Sequence, residues 1–162
     1  MKKPLSAQDK AALLESVALF RDFQWSELCT LATLMNFQKV MTGSYLVREG
    51  DNGAYLAVLV EGVVTIIKRS PYGRDVQLGD IYKGHVVGEM SLLDGEPRSA
   101  SLYAQTDLAL LVLGKADLDT LLNQDPALGA KFLAALARTL SVRLRRATGQ
   151  LARVGQGFFP SP

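Results

Sequence analysis

The chain has 162 residues, 48% of them hydrophobic, and 18 Lys and Arg against 16 Asp and Glu, for a formal net charge of +2. That length and apolar content suffice for one buried core, and so small a charge does not mark the whole chain as a nucleic-acid or membrane binder. Cys29 is the single cysteine, which excludes an intrachain disulfide and a cysteine-ligated cluster and reads as core packing in a reducing compartment.

Met1-Lys2-Lys3-Pro4 has no long apolar run behind its lysines, so no signal peptide is expected. No segment nears the roughly 18 consecutive apolar residues of a membrane span, and a cytoplasmic protein without a membrane span is the expectation. A single domain is expected over 1–154, with helices over about 7–34, a β-roll over about 37–113, C-terminal helices over about 115–152 and a flexible tail over 155–162.

Ser6 with Asp9 three positions on is a capping-box start, and Leu13, Leu14, Val17 and Phe20 recur at helical spacing, which predicts a helix over about 7–19. Ser26 is the expected N-cap of a second short helix carrying Leu28, Leu31 and Leu34. From Phe37 to Leu113 short Val/Ile/Leu/Tyr runs alternate with glycines. Closely spaced short strands of this kind predict an α+β, mainly β protein built on an antiparallel β-roll or jelly roll. The clearest expected strand pair is Tyr55–Val60 with Val63–Lys68, joined at Glu61-Gly62; the polar loop Ser70–Asp75 reads as a connection.

Asp125-Pro126 then opens a long helix to about Ala152, with Asp125 suited to the N-cap. Leu133, Leu136, Leu140, Leu144, Ala147, Leu151 and Val154 form a narrow apolar stripe along it. Such a seam suits a homodimer through the C-terminal helix, or a return onto the chain's own roll. Gly149 marks a position for fraying or bending. Arg138, Arg143, Arg145, Arg146 and Arg153 lie beside the stripe, as a solvated face or as contacts to an acidic partner. In the tail, Phe158-Phe159 is an exposed-apolar candidate for docking.

The chemistry concentrates in Gly88-Glu89-Met90-Ser91-Leu92-Leu93-Asp94-Gly95-Glu96-Pro97-Arg98-Ser99-Ala100-Ser101. A phosphodiester in a partly buried pocket needs a permanent cation with forked donors, which is Arg98. One helical turn after Gly88 would aim free N–H groups at the same anion, Ser99 adds a hydroxyl, and Gly88 lets backbone approach without a side chain. Glu89 cannot share the phosphate, because two anions repel; its use is to accept a bond from a sugar hydroxyl. The bland alternative is a glycine turn with Arg98 paired to Glu89 or Glu96.

In these residues the sequence resembles the cyclic nucleotide-binding domain family, which includes catabolite activator proteins, cyclic-nucleotide-gated channels and kinase regulatory subunits. The resemblance covers about residues 15–150, with Gly88–Ser101 similar to the family's phosphate-binding cassette, Tyr55–Val64 to its strand-turn-strand signature and Gly84–Glu89 to its approach to the pocket. It implies that Glu89 takes the ribose 2′-hydroxyl, that Arg98, Ser99 and the Gly88–Ser91 backbone hold the cyclic phosphate, and that Val87, Met90 and Ala100 belong to the same ligand site. His85 and Val86 replace acidic and aromatic residues common in relatives. Ser99 in place of threonine points to cyclic AMP first and cyclic GMP second. Arg143 and Leu144 stand where a Thr-Ser pair would contact the base, which makes Arg143 either a cation–π lid or a solvated arginine.

The resemblance implies a non-enzymatic receptor, with no cofactor beyond the cyclic nucleotide, that relays ligand binding through its last helix to an unidentified downstream protein. Because the chain stops at Pro162, no helix-turn-helix is expected and no sequence-specific nucleic-acid partner. An enzyme is disfavoured: His85 is the only histidine, and Asp94 and Glu96 have no base, nucleophile or metal ligand beside them. A nucleotide-free interaction module that keeps the fold is the alternative function.

Overall fold

The structure is a computed structural model that describes residues 5–155. Most of the expected tail, with Phe158 and Phe159, lies outside the described residues. The fold is α+β: helices α1 (Ala7–Glu15) and α2 (Trp25–Leu34) lead into eight strands in two antiparallel sheets, followed by α4 (Lys115–Gln124) and α5 (Pro126–Gly155). The strands are β1 (Asn36–Val40), β2 (Tyr45–Val47), β3 (Tyr55–Glu61), β4 (Val63–Arg69), β5 (Asp75–Tyr82), β6 (Val86–Val87), β7 (Ser101–Ala104) and β8 (Leu108–Gly114), with α3 (Glu89–Asp94) inserted after β6. No described helix is long and apolar enough to cross a membrane.

One sheet runs β1-β8-β3-β6 and the other β2-β7-β4-β5. The expected Tyr55–Val60/Val63–Lys68 pair therefore does not form: β3 pairs with β8 and β6, while β4 pairs with β5 and β7. The reason lies in β3 itself. Leu56 and Val58 pack with the helices, Ala57 and Leu59 pack between the sheets, and all four are fully buried. A strand apolar on both faces needs cover on both, so the chain turns at Gly62 (φ +96) and passes to the second sheet. The hairpin is instead β4–β5, closed by the Ser70–Arg74 turn.

The N-terminal helices differ in detail from the sequence pattern. α1 stops at Glu15, and a separate 3-10 turn at Ala18–Phe20 buries Leu19 and Phe20. α2 begins one residue before Ser26, because the Glu27 carboxylate accepts the Gln24 N–H at 2.7 Å and caps the helix there. At α5 the Asp125 carboxylate accepts the Leu128 N–H at 3.0 Å, as expected of an N-cap.

α5 then runs unbroken through Gly149 to Gly155, and its apolar stripe divides. Phe132 and Leu136 are fully buried, with Phe132 stacked on Phe20 at 6.2 Å between centroids. Leu144, Leu151 and Val154 are exposed by 64–72%. Burying a side chain such as Phe132 or Leu136 contributes about 1.5–3 kcal/mol, so the first half of α5 is fixed to the body and its last turns are not.

Three surface carboxylates tie distant segments together. Asp107 accepts both the N–H and the hydroxyl of Thr42 at 2.8 Å, Glu49 accepts the Arg69 N–H at 2.8 Å and pairs with Lys68, and Glu27 pairs with Lys131. These bonds hold all three carboxyls below their ordinary range, Glu27 chiefly through Lys131, Glu49 through the Arg69 amide and Asp107 through the Thr42 amide. A folded pKa below the unfolded one means that the native state binds fewer protons. The stabilisation is present above the unfolded pKa and is lost as pH falls through the folded one. Melting temperature should accordingly drop on acidification below about pH 5, and Glu49→Gln should flatten part of that drop. An identical pH profile for parent and variant would contradict the assignment.

Candidate functional site

The cassette begins where β6, paired with Ala57 and Val58 of β3, ends at Gly88. Gly88 adopts a left-handed φ of +79°, turning the chain into α3, and Gly95 (φ +73°) ends that helix with its N–H on the Ser91 carbonyl at 3.0 Å. Leu92 is fully buried and anchors the turn in the helix-side core. The Asp94 carboxylate accepts the Glu96 N–H at 2.9 Å, and Pro97 directs the chain into Arg98.

Arg98 is pinned at its backbone by the β2–β3 loop. Its N–H donates to Asp51 O at 2.9 Å and its carbonyl accepts from Gly50 N–H at 2.8 Å. The side chain is only 5% exposed. Its Nη1 donates to Gly88 O at 3.2 Å, its Nη2 to Tyr55 O at 3.0 Å, and the guanidinium lies 4.1 Å from the centre of the Tyr55 ring. Burial pushes the Tyr55 phenol pKa up, against the opposing Arg98 charge. Arg98 Nε has no hydrogen-bond partner, and no carboxylate lies within ion-pair distance of Arg98 among the described residues. A glycine turn in which Arg98 pairs Glu89 or Glu96 is therefore not what forms.

Glu89 is 4% exposed and its partner comes from α5: Arg143 Nη1 donates to Glu89 Oε1, and Arg143 Nη2 to Val86 O at 2.6 Å. Arg143 is thus not one of the solvated arginines; its side chain is about two-thirds buried and clamps the last helix to the cassette. Beneath Ser99, Lys68 donates both to the Ser99 carbonyl and to Glu49, while the Glu49 N–H donates to Ser101 Oγ at 2.8 Å. Met90 and Ser99 are exposed, and Ser91 is buried.

A cavity of about 830 Å³ opens here, and Val87, Gly88, Glu89, Met90, Ser91, Arg98, Ser99, Ala100 and Arg143 all line it. Of its remaining walls, Leu144 stands at the position read as base-contacting and Leu93 and Asp94 lie inside the cassette, while the others were not read from the sequence as site residues. Ile66, Ile81 and Leu102 come from the second sheet, and Leu140, Leu144 and Ala147 from α5. The stripe on α5 held a partial signal, since three of its members face the cavity; nothing local marks the Tyr55 carbonyl as the seat of Arg98. The arrangement offers one unpaired buried cation, a hydroxyl and a carboxylate at one end of a largely apolar chamber, which suits a molecule with an anionic group, hydroxyls and a flat apolar body.

Comparison with known proteins agrees with that geometry. The family model for the cyclic nucleotide-binding domain matches residues 37–125, over half of the chain. A cyclic nucleotide-gated potassium channel of Mesorhizobium japonicum is 32% identical over 74% of this chain and 32% of its own length. The chain spans about a third of the length of such channel relatives. A CRP-like cAMP-activated global transcriptional regulator of Mycobacterium tuberculosis is 26% identical over 86% of this chain and 61% of its own. Among solved structures, a cyclic nucleotide-binding domain from Methylobacillus flagellatus superimposes with a TM-score of 0.81 at 31% identity, covering 91% of this chain and 83% of that one. The Thermus thermophilus catabolite activator protein gives 0.73 at 32% identity, covering 85% and 62%.

Proposed function

We infer from two facts, that this chain belongs to the cyclic nucleotide-binding domain family and that it buries an arginine with no counterion among the described residues, that it is a non-enzymatic cytoplasmic receptor for cyclic AMP, with cyclic GMP second. The buried Arg98 carries the reading. An unpaired cation in a low-dielectric site is costly by several kcal/mol, and a cyclic phosphate seated beside the Arg98 guanidinium and on the Ser99 hydroxyl offsets that cost. Glu89 then takes the ribose 2′-hydroxyl, and the base lies along Leu140, Leu144 and Ala147. The name of the Mycobacterium tuberculosis relative, a cAMP-activated regulator, supports cyclic AMP as the ligand. Isothermal titration should give saturable heat with cyclic AMP and weaker binding of cyclic GMP. No heat with either overturns the receptor and leaves a nucleotide-free interaction module.

The signal passes through α5. A ribose hydroxyl on Glu89 competes with Arg143, so ligand resets the clamp between cassette and helix and shifts a pre-existing equilibrium of α5 toward a state read by a downstream protein. Amide exchange over 137–155 should change on adding cyclic AMP, and this change should vanish in Arg143→Ala. Identical protection with and without ligand would remove the relay.

A second copy of the chain is the proposed cover for Leu151 and Val154, which are exposed on a helix whose first half is already packed. Sedimentation velocity should show a dimer that Leu151→Glu dissociates; a parent that stays monomeric at high concentration contradicts it.

A further inference from the structure

α5 carries Lys131, Arg138, Arg143, Arg145, Arg146 and Arg153 and not one carboxylate in its 30 residues. Three lysines are closely paired, Lys68 with Glu49, Lys115 with Asp119 and, at the start of α5, Lys131 with Glu27. On the side of α5 turned away from the nucleotide cavity, several arginines converge on few carboxylates. Arg138 reaches only Asp22, at 3.7 Å, and Arg21 competes for the same carboxylate at the same distance. Arg146 has no ion pair among the described residues.

These three arginines rim a cleft of about 320 Å³ between the 3-10 turn, the Gly84–Val86 segment and α5. Its floor is apolar and built of buried side chains, Leu19, Val86 and Ala135. Like charges gathered around one concave surface repel and oppose folding, and Asp22, which also lines the cleft and is shared by Arg21 and Arg138, offsets only part of that field. Arg138 and Arg146 are eight residues apart, about 12 Å along the helix axis. One phosphate or sulfate cannot bridge that span, whereas carboxylates spaced along a peptide can. Nor does the cleft resemble a membrane face: of its apolar lining only Ala18 and Val142 are exposed, while Leu19, Val86 and Ala135 are buried in the floor, and a membrane face projects a broad apolar surface.

We propose that this cleft docks an acidic segment of a partner protein, with carboxylates on Arg21, Arg138 and Arg146 and an aliphatic side chain on the Leu19–Val86–Ala135 floor. Arg143 lines both this cleft and the nucleotide cavity. A carboxylate seated at its inner end therefore competes with Glu89 for the same guanidinium. That link to ligand rests on the function proposed above; the docking itself does not.

The test is fluorescence anisotropy of a labelled peptide alternating glutamate and leucine, titrated with the full chain. Binding should be saturable, weaken as salt is raised, and fall about tenfold or more in the double variant Arg138→Glu, Arg146→Glu, with the neutral pair Arg138→Gln, Arg146→Gln falling between. The control pair Arg145→Glu, Arg153→Glu makes the same charge change on the same helix outside the cleft and should shift binding less than about threefold. Absence of binding, equal losses from both charge-reversing pairs, or tighter binding to a single-stranded oligonucleotide or to phosphatidylserine vesicles overturns the proposal. Cyclic AMP calorimetry on the same samples keeps the two readings apart: peptide binding without nucleotide binding removes the receptor and leaves the docking cleft.

Discussion

Arg98→Ala should weaken binding of the proposed ligand, cyclic AMP, by about 3–5 kcal/mol, roughly a hundred- to several-thousand-fold in Kd, because the phosphate would lose its buried charge partner. The structure makes this variant more than a charge deletion. The guanidinium also holds the Gly88 and Tyr55 carbonyls and stacks on the Tyr55 ring, so its loss strips both carbonyls of a charged donor beside a new void, with Gly88 O keeping only the Leu92 N–H at 3.3 Å. Arg98→Lys separates the two roles: it keeps the charge but cannot reproduce a forked contact to both carbonyls. Affinity should then fall less than in the alanine variant but well below the parent. Glu89→Ala, which removes one charged acceptor, should cost about 1.5–3 kcal/mol. Titration calorimetry on variants whose melting curves remain cooperative measures all three, and an Arg98→Ala protein that binds cyclic AMP like the parent makes the pocket assignment wrong.

Gly88→Ala destabilises the protein by about 3 kcal/mol or more and disables the cassette. A non-glycine residue at φ +79° costs about 1–2 kcal/mol by itself. The added Cβ would also run into Arg98 Nη1 and come 2.7 Å from the Tyr55 carbonyl oxygen. Neither neighbour yields cheaply, since Tyr55 is held in β3 by its pairing with β8 and Arg98 is buried between the two carbonyls. The melting temperature should fall by about 6–12 °C for a chain of this size, with nucleotide affinity lost alongside. Gly149→Ala is the contrast: it sits in helix with nothing within 4 Å of an added Cβ, and should stabilise by up to about 1 kcal/mol. A Gly88→Ala protein that melts with the parent would mean that the cassette does not need this turn.

Much of the site was legible because its chemistry is local. Gly88, Glu89, Arg98 and Ser99 lie within a dozen residues, and one tight loop brings them to one cavity wall whatever the rest of the chain does. Contacts at long range carried no such signal. Tyr55 O seats Arg98 from 43 residues away and Arg143 meets Glu89 across 54; a backbone carbonyl has no sequence signature, and an arginine on a helix looks the same whether solvated or clamped. The failed β3–β4 pair has a similar origin. Two short apolar runs around Glu61-Gly62 read as a hairpin, yet β3 is apolar on both faces, and a strand that must be covered twice belongs at the centre of a sheet between two layers.

The sequence by itself determined the mainly β architecture, the helices that flank it and the cassette from Gly88 to Ser101, because strand patterning, helix caps, glycine turns and the charge logic of Arg98 and Glu89 act over a few residues. Tertiary structure decided which strands pair, that Arg98 is left without a counterion among the described residues, that Arg143 rather than a cassette residue answers Glu89, and where the α5 stripe stops being core. Those outcomes depend on which surfaces compete for the same apolar cover and the same carboxylates, and that competition is settled only when distant segments are folded together.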